Sequence, residues 1–450
     1  MRGSKLTTLD LSKNTDLTSI WITSSTLYSI NIANGNNVNL TTVWLESSNP
    51  DLNCIQIDNG FTPPTDDSWR KPDTAFYSNN CACTVDIPDA NFKNALLNDI
   101  DTIDLNSDGE VQCTEALAYN GNVDVSNKSI ADLTGIEAFA NIQILICDNN
   151  TLTAIDLSGN TKLFALQCNN NQITTINVSN NSELSILNCT NNQLANLDVS
   201  NNTALTSLRC QDNQLTNLDV TNNTSLSTFI CDNNQLTSID VTNNTDLVFF
   251  QSANNPIGNL DISKNIALEQ LGCVNNSLIT LDVSNNPNLI VLSCGSNGLT
   301  NIDVSNNPNL EILWSSNNSL TTIDVTRNSM LKQLFFKSNS LSSIDISNNP
   351  NLERLGCGDN NLSILDISDK PNLNVLYCDG NDLTSLNIAN GNNSNLTTMV
   401  ANNNPNLNCI QIDNNFTPPG TWVKDTTANY SINCGATASV TEETIYNFKL

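Results

Sequence analysis

The stretch Leu205-Thr-Ser-Leu208-Arg-Cys210-Gln-Asp-Asn213-Gln-Leu215-Thr-Asn-Leu218-Asp219-Val220 contains the unit from which most of this 450-residue chain is built. On either side of it the same pattern returns every 21 residues, and its phase does not change through the main array. Such a fixed period indicates one structural unit per repeat, stacked on its neighbours. The position of Cys210 is filled in the other repeats by Cys147, Cys168, Cys189, Cys231, Ser252, Cys273, Cys294, Ser315, Phe336, Cys357 and Cys378.

Each repeat has two halves, L-x-x-L-x-C-x-x-N-x and L-x-x-L-D-V-x-x-N-x-x, in which apolar and polar residues alternate. Alternation with period two is typical of a strand with one buried face. Because both halves are strand-like, we expect both sides of the coil to stack at about 4.8 Å per repeat. This predicts a rather straight, flattened solenoid with about 60 Å of stacked repeats in the main array.

The repeat resembles the leucine-rich-repeat family, specifically its bacterial class of 21 residues with a nested L-x-x-L-D-L half. The resemblance covers about residues 5–58 and 121–412. It implies a parallel sheet on the concave side, formed by the first half of each repeat, with the Asn of that half turned inward at the corner. An Asn side chain can donate to and accept from the backbone groups that a tight corner buries. Asn150 and Asn171 are therefore predicted to be turn residues rather than sugar-acceptor sites.

The composition excludes several classes of function. Asp and Glu number 45 against 17 Lys and Arg, which gives a net charge of −28, and the chain has no histidine. This charge would repel a polyanion such as nucleic acid. The lack of histidine removes the commonest general base and a common metal ligand. We therefore expect neither a nucleic-acid-binding protein nor an enzyme and, since no run of about twenty apolar residues occurs, no insertion into a membrane.

A repeated block divides the chain into modules. Residues 49–58 return almost unchanged at 404–413, and both copies continue through Phe-Thr-Pro-Pro to a cysteine. The same ending is therefore used twice, which predicts modules in tandem. The predicted divisions are an expression leader at 1–4, the end of an upstream repeat array with its C-terminal cap at 5–84, a small helical N-cap segment at 85–120, the main array at 121–412, a disulfide cap at 413–434 and a linker at 435–450.

The fifteen cysteines form two groups. Nine occupy the repeat position, where a small apolar side chain is needed inside the coil, and we interpret them as core residues rather than as a metal-binding ladder. The matched endings predict the disulfides Cys54–Cys81 and Cys409–Cys434 and leave Cys83 and Cys113 for a third. Disulfides that seal the end of an apolar core indicate an oxidising, extracellular setting.

One metal motif lies between the arrays. Residues 104–115 have oxygen-bearing side chains at loop positions 1, 3 and 5, Gly at 6, an apolar residue at 8 and Glu at 12, which matches the EF-hand calcium loop. Residues 89–100 before it have the one-sided apolar pattern of an incoming helix. We expect a structural Ca²⁺ ion that rigidifies the junction, with a vestigial acidic turn as the alternative. The predicted ligands are Asp104, Asn106, Asp108, the backbone carbonyl of Glu110, and Glu115.

Two surface columns are candidate sites. The Asp of L-x-x-L-D-V recurs ten times and either binds cations or, as we favour, forms a solvated face that accepts hydrogen bonds from Ser and Thr. On the concave strands, Phe335, Gly356 and Tyr377 are expected to be consecutive neighbours, with Trp314 beside them and two cations, Lys337 and Arg354, nearby. This predicts a small aromatic-walled groove, and such exposed rings often anchor proteins or sugars. The alternative is that the rings cover one another.

These features predict an extracellular or cell-surface binding scaffold, adhesin-like, that recognises a protein or glycan on the concave sheet, with self-association left open. The alternatives are a carbohydrate-binding module of a polysaccharide-uptake system and a structural spacer. Residues 442–450 resemble the start of the C-terminal sorting domain of proteins exported by the type IX secretion system. That resemblance implies a secreted protein or one on the outer surface of a bacterium.

Overall fold

The computed structural model describes residues 8–435 except 24–26, 46–48, 50–51, 74, 82–83, 101–102 and 106–107. The chain forms two compact units, Met1–Leu205 and Thr206–Leu450. Each unit is a solenoid of parallel strands with few helices, which confirms the predicted fold class. The predicted leader at 1–4 and the segment resembling a sorting domain at 442–450 lie outside the described residues. None of the described helices has the length and apolar character needed to cross a membrane.

The first half of most repeats forms a three-residue strand, whose middle residue, usually leucine, faces the core while its neighbours are mostly directed outward. We call the sheet made by these strands the front sheet. In the first unit Leu145, Leu166 and Leu187 pair in parallel register and are fully buried. The front strands of the main array in this unit are Val123–Asp124, Ile144–Ile146, Ala165–Gln167 and Ile186–Asn188.

The upstream part of the first unit has two sheets of the same parallel kind. One contains Ser19–Trp21, Thr42–Trp44 and Trp69–Arg70, and the other contains Thr8–Asp10, Ser29–Asn31, Cys54–Gln56 and Phe76–Ser78. A 3₁₀ helix at Asn37–Asn39 lies between two of these strands.

In the second unit the front sheet repeats the same register, so that Leu313, Leu334 and Leu355 are stacked and fully buried. A 3₁₀ helix at Asn393–Asn395 precedes one of its last strands. The front strands are Ser207–Arg209, Thr228–Ile230, Phe249–Gln251, Gln270–Gly272, Val291–Ser293, Ile312–Trp314, Gln333–Phe335, Arg354–Gly356, Val375–Tyr377, Thr398–Ala401 and Val423–Lys424.

The second half of the repeat departs from the expectation of strands on both faces. In the first unit Ala154–Ile155 pairs with Thr175–Ile176. In the second unit a four-stranded sheet contains Ile364–Asp366, Ser385–Asn387, Cys409–Gln411 and Asn429–Ser431. The described Leu-Asp-Val segments of this unit before Ile364 have only one isolated bridge, Asp303 to Asp324. The upstream array also has strands on both faces, because the sheet that contains Thr8–Asp10 is formed by second halves of its repeats. The expectation therefore holds in that array and where these two sheets occur.

A buried asparagine links the second halves of successive repeats. The Nδ2 atom of Asn244 donates to the carbonyls of Val220, at 2.9 Å, and Asn223, at 2.8 Å. Asn265 and Asn286 make the same two bonds, and all three side chains are fully buried. Side-chain amides thus link successive repeats where backbone pairing is missing.

The asparagine of the first half lies inward, as predicted. Asn150 donates from Nδ2 to the carbonyls of Val125, at 2.9 Å, and Cys147, at 3.0 Å, and its Oδ1 accepts from the amide of Ile130. The preceding residue, Asn149, has a φ of 56°, a left-handed conformation that Asn tolerates better than most residues. Asn150 is therefore a structural turn residue, which confirms its predicted role.

Two α-helices, α1 at Ala90–Asn98 and α2 at Cys113–Ala118, lie in the segment between the arrays. A further 3₁₀ helix covers Ile136–Ala138. The Asp89 carboxylate caps α1 through Oδ1, and its Oδ2 accepts from the amides of Ala131 and Asp132 in the first repeat. Phe92, Ala95 and Leu96 are the buried residues of α1, as the sequence pattern predicted. Helix α1 is therefore fixed against the start of the main array.

The two matched endings fold alike. In the first unit Cys54 and Cys81 form a disulfide, and in the second unit Cys409 and Cys434 do so, which confirms both predicted pairs. In both endings a buried tryptophan donates its indole N–H to a backbone carbonyl at 3.1 Å. Cys113 also takes part in a disulfide, while Cys83, its predicted partner, lies outside the described residues.

Candidate functional site

The strongest candidate site is a groove of about 490 Å³ on the front sheet of the second unit. Trp314 and Phe335 form its aromatic corner, with ring centroids 6.4 Å apart and ring planes at 90°. Trp314 is 44% exposed, an unusual state for the largest apolar side chain. We call this feature the Trp314 groove. Its other lining residues are Val274, Gly295, Ser296, Ser316, Asn317, Gln333 and Arg354.

The groove lies on a different side of Phe335 from the one that the sequence pattern predicted. A Cβ atom at Gly356 would collide with the Phe335 ring, so this ring covers the glycine and fills the space predicted to be empty. Tyr377 pairs with Gly356 on the next strand but is not part of the groove lining. The opening is instead on the side of Gly295, which has no side chain, and Ser296, whose side chain is small, and together they leave room beside Trp314.

The two lysines on either side of the strand Gln333–Phe335 are held in ion pairs. Lys337 lies 3.2 Å from Asp359 and 3.0 Å from Asp379, and the hydrogen bond to Asp379 raises the pKa of Lys337. It is therefore committed to an internal ion pair and is absent from the groove lining. Lys332 is similarly paired with Glu311 at 2.8 Å.

Arg354 differs from these two lysines. Its Cζ atom lies 5.7 Å from the centroid of the Phe335 ring, a cation–π contact, and its side chain is exposed. Within the described part of the chain, no carboxylate lies at ion-pair distance from Arg354. The groove thus joins an exposed tryptophan to a guanidinium group that is available to a ligand.

The first unit contains a related arrangement at Trp21, Trp44 and Arg70, which follow one another on three paired strands. The two indole rings lie 4.3 Å apart, and the Arg70 guanidinium lies 5.1 Å from the Trp44 ring. Arg70 differs from Arg354 because the carboxylate of Asp67 lies 3.4 Å away. The arginine comes from the strand after the two tryptophans, and no short sequence motif links it to them.

The aspartate column on the second half of the repeats has a structural role. In all ten repeats Oδ1 accepts from the backbone amide two residues further on, as in the 2.9 Å bond from Thr242 to Asp240. Hydrogen bonds from the Thr242 side chain and amide lower the pKa of Asp240. The uniform column fits the solvated face that we favoured, and binding of cations to it stays untested. The column contains Asp156, Asp198, Asp219, Asp240, Asp261, Asp282, Asp303, Asp324, Asp345 and Asp366, with Asn177 and Asn387 in two further positions.

The nine repeat-position cysteines are all buried and free of disulfides. The Sγ atoms of Cys147 and Cys231 lie 3.4 and 3.5 Å from the carbonyl oxygens of Gln167 and Gln251 on the neighbouring strands. Burial raises the pKa of the Cys189 and Cys294 thiols to about 12. These thiols are therefore inert core residues that also donate weak hydrogen bonds, which agrees with our interpretation.

The predicted calcium loop has the turn that its sequence requires. Gly109 has a φ of 80°, and the carboxylate of Asp104 accepts from the amides of Asp108 and Gly109. Glu115 is 1% exposed, and its two oxygens accept from the amides of Leu105 and Gln112, each at 2.9 Å. The Glu110 side chain is paired with Lys93 at 2.6 Å, which leaves its backbone carbonyl as the predicted ligand.

The donor set fits a hard cation, because all the predicted ligands are oxygen atoms. Asn106 lies outside the described residues, and among those that are described no group of three or more Asp, Glu or Cys residues is gathered as a metal site. The buried carboxylate of Glu115, at the last position of the loop, is the feature that best suits an ion.

A second cavity, of about 930 Å³, lies in the first unit and was missed by sequence analysis. Its lining joins Tyr28 and Asn53 from the upstream array to Leu105, Leu117 and Lys162, which are far away in the sequence. Asn53 is 5% exposed; its Nδ2 donates to the Tyr28 hydroxyl, while its Oδ1 is unpartnered within the described residues. Burial raises the pKa of Tyr28 to about 12. No short motif could have indicated this cavity.

Comparison with known proteins agrees with this architecture. No protein-family profile and no curated protein sequence matches the chain. Among solved structures, the functional domain of internalin J from Listeria monocytogenes, which includes a cysteine ladder, is 33% identical, with 67% of this chain and 70% of that chain covered and a TM-score of 0.59.

Two further structures share the fold at lower identity. A leucine-rich-repeat protein of Leptospira interrogans is 20% identical, with 68% of this chain and 83% of that one covered and a TM-score of 0.56. Internalin F of Listeria monocytogenes is 23% identical, with 64% and 95% covered and a TM-score of 0.52. The 21-residue register, the inward asparagines and the similarity to internalin J lead to one conclusion: this chain belongs to the leucine-rich-repeat family.

Proposed function

We propose that this protein is a non-catalytic binding scaffold that works outside the cell and holds a partner protein on its front sheet. The observation that carries the proposal is Trp314, a large apolar side chain that is 44% exposed beside a groove rather than packed in the core. Interface anchors are typically aromatic residues or arginines that lie near a pocket. The inward-facing residues of the repeats, in contrast, pack in the core or form hydrogen bonds with the backbone.

The extracellular setting is supported by the disulfides Cys54–Cys81 and Cys409–Cys434, since such bonds persist in oxidising compartments. Secretion to the outer surface of a bacterium, by the type IX route, is part of the proposal and rests on the resemblance of residues 442–450. If the partner protein lies on another cell, this protein would act as an adhesin.

Binding of a glycan is the second candidate, because exposed aromatic rings also stack on sugars. In that case the protein would act as a carbohydrate-binding module of a polysaccharide-uptake system. A structural spacer is the third reading, in which no face binds a partner; self-association through the same surface is also a testable outcome.

A paired experiment separates these readings. The full chain and its Trp314→Ala variant are screened on a glycan array and against a panel of purified cell-surface proteins, with analytical ultracentrifugation for self-association. The control is Met330→Ala, which removes an equally exposed apolar side chain outside the groove lining. Protein binding lost only in Trp314→Ala supports the scaffold, and sugar binding lost in the same way supports the module. Binding that is equal in all three proteins, or absent, contradicts a role for this groove.

We also propose that residues 104–115 bind a structural Ca²⁺ ion. Asp104, Asp108 and Glu115 would hold it with side-chain oxygens, Glu110 with its backbone carbonyl, and Asn106 would complete the predicted set. The ion would balance the buried Glu115 carboxylate and stiffen the segment between helices α1 and α2. Glu115→Gln, with Glu110→Gln as its control, tests this proposal through the shift in Tm that Ca²⁺ produces.

A further inference from the structure

The available guanidinium of Arg354 specifies the chemistry of the ligand at the Trp314 groove, and the inference that follows rests on the function proposed above. We infer that the groove binds a peptide segment of a partner protein in which a carboxylate lies next to a large apolar side chain. The carboxylate would pair with Arg354, and the apolar side chain would pack into the corner between Trp314 and Phe335.

The pattern of paired and unpaired cations favours an acidic ligand. The chain has a net charge of −28, and Lys332 and Lys337, on either side of the strand Gln333–Phe335, are already paired with carboxylates. Arg354 is the cation of this surface that has no such pair within the described residues. A guanidinium fork matches a carboxylate in two parallel hydrogen bonds, and stacking on Phe335 restricts its orientation before any ligand arrives.

The chain itself contains an example of the proposed contact. In the first unit Trp21, Trp44 and Arg70 also lie on successive strands as ring, ring and cation, although Arg70 is in register with the two rings and Arg354 is not. There the cation lies 3.4 Å from the exposed carboxylate of Asp67, in the turn before its own strand. A carboxylate is thus what the cation of this related arrangement contacts within the chain.

The shape of the groove favours a side chain over a sugar ring. Because the planes of Trp314 and Phe335 meet at 90°, they form a corner that touches a compact side chain on two sides. A sugar ring stacks best on a single flat ring, with polar groups around it to receive its hydroxyls. The exposed area of the groove walls is mainly apolar, although Ser296, Ser316, Asn317 and Gln333 also line the groove, and of the described residues that line it only Arg354 is charged.

A random peptide library displayed on phage provides the probe. Selection on the full chain should enrich Asp or Glu within one or two positions of Phe, Trp or Leu. Selection on Arg354→Glu should lose this preference and favour Lys or Arg beside the same apolar residues. A selected peptide, resynthesised with amides in place of its carboxylates, should bind wild type about 10-fold to about 100-fold more weakly, the usual loss for a charge-assisted hydrogen bond.

Variants assign the effect to the groove. Arg354→Gln should weaken the acidic peptide by the same factor as amidation, and the two changes together should cost little more than either one. Arg327→Gln removes the same charge from an exposed turn outside the groove lining and should change nothing. Trp314→Ala should abolish binding of all selected peptides.

The outcomes distinguish this inference from the function on which it rests. Peptides that need Trp314 but bind equally to Arg354→Gln leave the protein-binding scaffold in place and overturn the carboxylate rule. If no selected peptide depends on Trp314, both proposals fall. Sugar binding that is lost in Trp314→Ala, without selected peptides, would replace the peptide ligand by a glycan.

Discussion

Replacing Lys370 by asparagine should stabilise the protein. At the equivalent position of the preceding repeats, Asn307, Asn328 and Asn349 are fully buried, and each donates from Nδ2 to two backbone carbonyls. Lys370 is also fully buried. Its Nζ lies 2.5 Å from Oδ1 of Asp369 without the geometry of a hydrogen bond, so a buried ammonium stands where the other repeats have an amide that donates twice to the backbone.

The size of the effect follows from three contributions. The side-chain amide introduced by Lys370→Asn would regain two hydrogen bonds to backbone carbonyls, each worth about 1 kcal/mol net. Removing the buried ammonium relieves a desolvation cost that reaches several kcal/mol for an isolated ion and is smaller here because Asp369 lies beside it. Loss of that contact costs at most about 1 kcal/mol, since Asp369 is 57% exposed. The net gain is about 2 kcal/mol, or about 4–8 °C in Tm for a cooperative unit of this size.

Thermal and urea denaturation followed by circular dichroism measure this gain. Lys370→Met removes the charge but provides no donor, so it should recover only part of the stabilisation. Asn349→Lys makes the reverse change one repeat earlier and should lower the Tm. An asparagine variant that melts at or below the wild-type temperature, or a methionine variant that gains as much, would refute the argument from the amide ladder.

Further predictions concern protonation, thiols and metal. Burial raises the pKa of Asp232 to about 6, so the stability linked to its protonated form is fully present below pH 3.8 and is lost as the pH rises through 6. Asp232→Asn should therefore stabilise the fold at pH 7 by about 1 kcal/mol, a value reduced for partial solvent exposure, in urea titrations at pH 4 and 7. The contribution of Asp240 to stability depends on pH in the opposite direction. Its lowered pKa adds stability that is present above pH 3.8 and is lost as the pH falls through the folded-state pKa. Asp240→Asn should therefore reduce the loss of stability at acid pH only. The nine buried thiols should react with a disulfide reagent only after unfolding, and Cys294→Ser should cost about 1 kcal/mol or less, because serine fills this slot in two other repeats. Finally, Ca²⁺ should raise the Tm of wild type and of Glu110→Gln, which keeps its backbone carbonyl, but not of Glu115→Gln; equal shifts in all three would contradict the proposed site.

The repeat made most of the fold predictable from sequence. A core position such as Leu313 and a corner position such as Asn150 each recur every 21 residues. This period, with the alternation of apolar and polar residues within each half, was sufficient to predict that they face inward. The disulfides were predictable for a similar reason, because the same ending occurs twice. The link made by Asn244 and its equivalents was not predicted, since its donors and acceptors belong to different repeats and depend on how the back segments approach one another.

The candidate site was predictable only in part. The sequence correctly placed Trp314 and Phe335 on consecutive strands, and Arg354 on the strand after them. It could not show that the Phe335 ring turns over Gly356 and closes the predicted space, because rotamers depend on neighbouring side chains in three dimensions. The commitment of Lys337 to two carboxylates in later repeats was hidden for the same reason.

The constraints on the repeat leave few positions that a ligand could use. In most repeats the leucines, the cysteine and the two asparagines are constrained by burial and by backbone hydrogen bonds, and the aspartate is held by an amide two residues later. The outward-facing residues of a front strand make none of these contacts, so they can vary without loss of the fold. On three adjacent strands these residues are Trp314, Phe335 and Arg354. The exposed indole and the guanidinium, which has no ion pair within the described residues, are not needed for the stability of the repeat. We therefore base the functional proposal on the groove rather than on the repeat.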